Sequence, residues 1–487
     1  MAETSIFPVF HSGVGYGIIV GLGGLFAILM TLTTFALRRY FSEVQDSEMH
    51  LTAKRSIKAG LIASSVVSSW TLSATLLTST TFGYSFGAGC SIPILTFAVL
   101  AIELKRKAPN AHTFLELVKH RYGAPGHIVL AIYSLIYQIF IAVNLLVGGA
   151  DVFNLVTGMN KVAVCFLFPL GVCIYTLFGG IKATFLTEWV HTVIIFVIML
   201  SSMFVIYATS EHVGSPGRMW ELLKAAAEIR PVEGNAGGEL LTMRSISGGL
   251  IGLIFLGGGF SATVDSQPTY PTPLSAAEIN SALIMPYTAY TIMGKGGVVA
   301  VLLMLFQAIT SAMSSETVAV TSLVTYDFYR SYINPNATGK QLIFISHIAV
   351  LGFGLLTASI AVGLCYAGFS VTFIVTAIGI IIDGAVIPNF KPTVAGNMLA
   401  LTAPIILTPL ITYIKPDNYD FEKFKELQQV DDSDFDPKVQ NEGASVQDAQ
   451  QRTYNELVNL ERIEKPLLHA RNFALAVALF ISISMTM

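Results

Sequence analysis

Carboxylates buried in apolar runs are the residues of this sequence best placed to do chemistry. Glu188, Glu316, Asp265, Asp383 and Asp151 are the candidates. A charge in lipid is costly, so such residues mark ion paths or proton relays by default. Glu188 lies one turn inside the apolar stretch 184–210, with His191 at i+3 on the same helical face. A carboxyl in a low dielectric resists ionisation, which suits a proton carrier at neutral pH. A structural ion pair or an interfacial position is an equal alternative for it. Glu316 follows Ser314-Ser315, and a buried helix–helix hydrogen bond is the better reading there. Asp151 and Asp383 close their runs and read as interfacial. His11, His127 and His347 stand singly, without i+4 partners, and default to core or interface.

Small hydroxyl residues form the second pattern. Residues 60–81, GLIASSVVSSWTLSATLLTSTT, carry hydroxyls on every face. Residues 245–265 read SISGGLIGLIFLGGGFSATVD, with Gly257-Gly258-Gly259 where an unwound turn would fall. Residues 306–315, FQAITSAMSS, place hydroxyls at 310, 311, 314 and 315, mostly on one face. Broken helices free backbone carbonyls and amides at mid-membrane to hold ions and small ligands. A single Ser more often serves close helix packing in lipid. Three such segments in one chain favour a site.

Other chemistries have no residues to stand on. There is no phosphate-binding loop, nucleophile elbow or metal-ligand cluster, so the chain is not read as an enzyme and needs no catalytic cofactor. The four cysteines, Cys90, Cys165, Cys173 and Cys365, lie in apolar runs without CxxC spacing. They read as small core residues.

Membrane spans must position these groups. The chain has 487 residues, 53% hydrophobic and only 12% charged, about half the charge of a soluble domain. That excludes a cytosolic or disordered protein, and a net charge of −3 leaves no nucleic-acid footprint. The partner implied is a lipid bilayer. About twelve apolar segments emerge, including 13–37, 59–102 (room for two), 122–150, 162–181, 184–210, 245–264, 296–326, 341–382 (room for two) and 392–414. Residues 1–414 form a transmembrane body. Residues 415–471, with 21 charges netting −5, form an acidic cytoplasmic tail. The apolar run 472–487 is the start of a further span.

Arg38, Arg39, Lys54, Arg55 and Lys58, then Lys105, Arg106, Lys107, Lys119 and Arg121, place two loops in the cytoplasm by the positive-inside rule. The N-terminus is then outside. Continued alternation puts the Pro-rich stretch 266–295 inside and the Arg330/Lys340 loop outside, against the same rule. Both anomalies vanish if one span is missing between Asp265 and Lys295.

Three strings carry a resemblance: AIELKRKAPNAHTFLELVKHRYG (101–123), YTLFGGIKATFLTEWVHT (175–192) and SAMSSETVAVTSLVTYDFYRSYINPNATGKQ (311–341). Through them, from about residue 13 to residue 463, the chain resembles the sodium:solute symporters, and within them the urea active transporters of fungi and plants. The resemblance implies an all-α inverted-repeat (5+5) membrane fold whose first and sixth core helices are broken. It implies import of urea, with polyamines as further candidate substrates, across the plasma membrane, coupled to H+ or Na+. It maps a sodium site onto the carbonyls of Ser64, Val67 and Ala308 and the hydroxyl of Ser311. The fifth position of that site is Ala312, whose missing hydroxyl weakens a sodium site and leaves room for proton coupling. Glu188 falls where relatives carry a carboxylate that helps ion release, and Trp70, Thr71 and Asp265 fall on substrate-facing positions.

Against that family the chain lacks residues near 89–91, roughly a helix after Gln267 and another stretch after Pro388. One or more core helices are therefore missing, as in a truncated gene model or splice form. A non-transporting truncated paralogue or splice form is thus the alternative function; a passive urea channel is a third.

Overall fold

A computed structural model describes residues 8–41, 47–53, 57–81, 101–229, 231–240, 278–369 and 466–473, apart from a few single positions. All the regular structure among them is helical. The first span runs through α1 (Ser12–Tyr16), a π-helical stretch (Gly17–Leu22) and α2 (Gly23–Phe41). A short α3 (Ser47–Thr52) follows, then α4 (Ala59–Trp70), α5 (Phe114–Thr157), α6 (Lys161–Phe204), α7 (Pro216–Ile229), α8 (Ile284–Ser322) and α9 (Gly339–Tyr366). π-Helical stretches extend α6 (Val205–Thr209) and α8 (Leu323–Ile333).

Helix α4 stops in the middle of the Ser/Thr ladder. Thr71 leaves helical geometry at φ −82°, ψ 67°, its amide bonded back to Val67 and Ser68, and helix resumes at Ser73. This is the broken first core helix that the family resemblance implies. Its counterpart, 245–265, lies outside the described residues, as do Cys90, Asp383, 392–409 and most of 415–471.

At 44 residues, α6 would reach about 66 Å if straight, twice the hydrocarbon thickness. It folds back at Gly180, at φ 56° and ψ −155°, a conformation open essentially to glycine alone. A Cβ there would also meet the carbonyl of His50. Tyr175 and His191 line one cavity as a result, although a straight helix would hold them about 24 Å apart. The two spans read at 162–181 and 184–210 are therefore the arms of one hairpin. Gly123 and Gly294 break α5 and α8 in the same way.

The core forms where α8 packs on α6 and α5, with Phe153, Phe168, Leu146, Phe306 and Ile309 fully enclosed. The outer surfaces of the helices carry Ile28, Phe35, Leu200, Phe204 and Leu355, all exposed and apolar. Among the described residues, five helices are long and apolar enough to cross a membrane.

Residues far apart in sequence meet at each end. Leu51, Tyr326, Ala337 and Leu342 form one cluster, and the rings of His50 and His347 lie 5.4 Å apart. The loop bearing Asn336 therefore shares an end with the 38–58 connection. Simple alternation puts them on opposite sides and the positive-inside rule puts them together; the structure follows the latter. At the other end, the Val9 amide donates to the Val156 carbonyl at 3.0 Å.

Candidate functional site

Three helices meet around Glu188. Thr192 on α6 donates to the Ser64 carbonyl of α4 at 2.8 Å, which fixes these two helices one turn from the carboxylate. Spacing then does the rest. Ser65 and Ser69 recur at i, i+4 on α4, and Ser314 and Ser315 at the matching height of α8, so all four hydroxyls turn toward α6.

Glu188 is 1% exposed and has all four hydroxyl oxygens within hydrogen-bond reach. Ser65 and Ser315 make the tightest contacts, one to each carboxyl oxygen. Ser69 and Ser314 stand further from Oε1, at 3.3 and 3.4 Å, and each has a shorter acceptor in a helix carbonyl, Ser65 and Ser311, at 2.8 Å. The Ser69 and Ser315 hydroxyls also touch at 2.7 Å, and Ser68 and Ser311 at 2.6 Å, joining α4 to α8 directly. A buried carboxylate is tolerable only when its oxygens are satisfied in this way.

The residues named from sequence divide into those brought together and those that are not. Glu188 stands at the centre, and Ser311 one layer away against Ser68. Ala308 and Ala312 are enclosed in α8. The Ser64 carbonyl is engaged by Thr192, and that of Val67 by the Thr71 amide and hydroxyl at 3.0 and 2.7 Å. The hydroxyl that Ser311 meets belongs to Ser68, while the Val67 side chain is 39% exposed. The mapped cation set uses carbonyls on α4, whereas the hydroxyl of α4 in contact with Ser311 is that of Ser68. Trp70 and Thr71 flank the helix break, and Asp265 lies outside the described residues.

Ser65, Ser68, Ser69, Ser314 and Ser315 belong to ladders that sequence alone does not tie to Glu188. Their i, i+3, i+4 spacing is the available signal. His191 turns away from Glu188 toward the Phe26 ring, 4.7 Å off, and neither of its ring nitrogens has a hydrogen-bond partner among the described residues. Oε2 of Glu316 likewise has no partner among them, so the helix–helix bond expected there is not seen. Asp151 is buried and makes a 2.6 Å ion pair with Lys161. Cys165, Cys173 and Cys365 are free thiols.

An all-helical membrane fold with a broken first core helix, and a carboxylate clasped between that helix and α8, defines an inverted-repeat ion-coupled transporter. The chain belongs to the sodium:solute symporter family, whose model matches residues 51–263. A urea active transporter of Saccharomyces cerevisiae is 40% identical, the match covering 91% of this chain and 75% of that protein. A probable urea active transporter 1 of Schizosaccharomyces pombe is 37% identical, covering 85% and 78%. A urea-proton symporter DUR3 of Oryza sativa subsp. japonica is 38% identical, covering 78% and 62%. The yeast match runs over 550 positions, more than this chain's 487 residues, so that relative carries internal segments with no counterpart here. Among solved structures, a substrate-bound, outward-open Na+-coupled sialic acid symporter superposes with a TM-score of 0.58 at 15% identity. That superposition covers 82% of this chain and 97% of the other, and it shows the shared fold.

Proposed function

We propose that this chain is a secondary active symporter that imports urea across the plasma membrane, driven by protons carried on Glu188. Its N-terminus faces outside and the end bearing residues 38–58 faces the cytoplasm. The observation that carries the coupling is the clasp of Glu188 by hydroxyls of α4 and α8. An ionised carboxylate accepts the Ser65 and Ser315 hydroxyls, one from each flanking helix, in charge-assisted bonds roughly twice as strong as neutral ones. Protonation removes the charge, so the same contacts weaken together and the hold of α6 on both helices relaxes. Proton occupancy is thereby linked to the spacing of the two helices that frame the path. Ala312, where a fifth sodium ligand would need a hydroxyl, supports a proton over a sodium ion. Trp70 and Thr71, at the break in α4, are the described residues proposed to face urea. The names of the similar yeast and rice proteins support urea as the substrate.

The test is uptake of labelled urea by a host deleted for its own urea transporters. Expression of this chain should give uptake that rises on external acidification, ignores sodium replacement and collapses with a protonophore. Uptake insensitive to the protonophore would indicate a passive channel. No uptake from a chain that reaches the surface would favour the non-transporting truncated form.

A further inference from the structure

A second buried polar cluster lies away from Glu188. His112, just before α5, is wedged between two carboxylates from different elements. Its Nε2 lies 2.6 Å from Oε1 of Glu48 on α3, and its Nδ1 lies 3.2 Å from Oε1 of Glu116 on α5. The His112 amide donates to Oε2 of Glu116 at 2.9 Å. Its ring stacks on Tyr326 at 4.0 Å, beyond the end of α8. The imidazole is 1% exposed, and the two carboxylates 7% and 16%. Beside it, Thr113 donates to Asp327 at 2.9 Å, and His127 bonds Asp327 at 3.0 Å and the Tyr332 hydroxyl at 2.6 Å. Among the described residues, the charged groups facing the imidazole include Glu48 and Glu116, with Asp327 and Arg330 a layer further out.

A partner set of two acceptors suits a doubly protonated ring, because a neutral imidazole has a single N–H to share between two carboxylates. Burial opposes the charge on His112, but its bonds to Glu116 and Glu48 outweigh burial and hold its proton affinity above the ordinary value. His50, also buried and two residues from Glu48 on α3, behaves oppositely. Burial, and then His347, push it down to about 4, so it stays neutral.

The clasp ties three elements that lead to the Glu188 site. α3 precedes α4, which carries Ser65 and Ser69; the Leu323–Ile333 stretch continues α8, which carries Ser314 and Ser315. We propose that His112 is a second proton-binding site, and that its protonation locks α3, the start of α5 and the end of α8 together at the cytoplasmic end. The regulatory consequence rests on the proton-coupled import proposed above: protons delivered with substrate would acidify the cytoplasm and fasten the exit, so transport limits itself.

Hydrogen–deuterium exchange of the full chain in detergent, without gradient or substrate, tests the lock directly. After correction for intrinsic exchange, peptides over 323–333 and 112–120 should become about fivefold better protected between about pH 8 and about pH 6. His112→Gln should abolish that rise, and Glu48→Gln should reduce it. Peptides over 350–366, at the far end, report whether each variant is folded; should His112→Gln lose their protection, wild type and Glu48→Gln decide. Unchanged protection in wild type, or a wild-type rise in a folded His112→Gln or Glu48→Gln, would overturn the proposal. No uptake is measured, so failure of the lock and failure of urea import are read separately.

Discussion

The hydroxyls of Ser69 and Ser315 lie 2.7 Å apart and both reach Oε1 of Glu188. One belongs to the broken helix α4 and the other to α8, so a single carboxyl oxygen on α6 holds the junction of three helices. Any change in the charge of that oxygen is felt by both flanking helices at once.

Ser315 and Ser311 should therefore differ in effect. Ser315 donates to the carboxylate, and Ser311 meets Ser68 instead. A hydrogen bond to a charged group is worth about 1.5–3 kcal/mol, against about 1 kcal/mol for a neutral one. Ser315→Ala is expected to shift the pH profile of urea uptake by about a unit or more, while Ser311→Ala leaves the profile in place. Equal profiles for both variants would show that the clasp is not the coupling site.

His50 gives a pH signature of stability. Its folded-state value is about 4 against an ordinary 6.5, so the unfolded chain takes up the proton first as pH falls. The stabilisation from keeping it neutral, about 3 kcal/mol, is present above about pH 6.5 and is lost as pH falls through about 4. Thermal melting in detergent should show this acid loss in wild type and a flatter profile in His50→Gln. His112 acts in the opposite sense: with its value raised, its contribution is present at acid pH and fades as pH rises.

Gly180 is the hinge of the α6 hairpin. Gly180→Ala combines a disallowed backbone conformation with a clash against the His50 carbonyl. A cost of about 1–3 kcal/mol from the backbone alone is expected, read as reduced surface expression and a lowered melting temperature. Normal melting would mean the hairpin can bend elsewhere.

Asn336 lies in an acceptor sequon for N-glycosylation, a modification made only on the luminal side. Ala337 packs with Leu51 at the end that carries the basic loops. Asn336 is therefore expected to stay unmodified, with no endoglycosidase-sensitive shift on a gel. A shift would place the loop outside and require a different packing of α9.

Much of this arrangement is legible in the amino-acid sequence. Charge-free runs mark the spans, Lys182 divides two of them close to the Gly180 break, and residues 60–81 announce a broken helix by their hydroxyls. Glu188 is visible because a carboxylate in an apolar run is rare. Its partners are less so, because a ladder with hydroxyls on every face does not say which face meets which helix. That the Ser65 hydroxyl meets α6 and the Ser68 hydroxyl meets α8 is a rotation that only tertiary packing sets. The His112 clasp is hidden for a related reason. His112 and Glu48 stand 64 residues apart in sequence, and no helical period links them.

The most direct test of the account is proton movement in proteoliposomes containing this chain and a pH-sensitive dye in the lumen. Adding urea outside at neutral pH, without sodium, should acidify the lumen as urea enters. Glu188→Gln should abolish the acidification while leaving the protein folded and inserted. Urea entry without luminal acidification in wild type, or the same acidification in Glu188→Gln, would contradict proton coupling at Glu188.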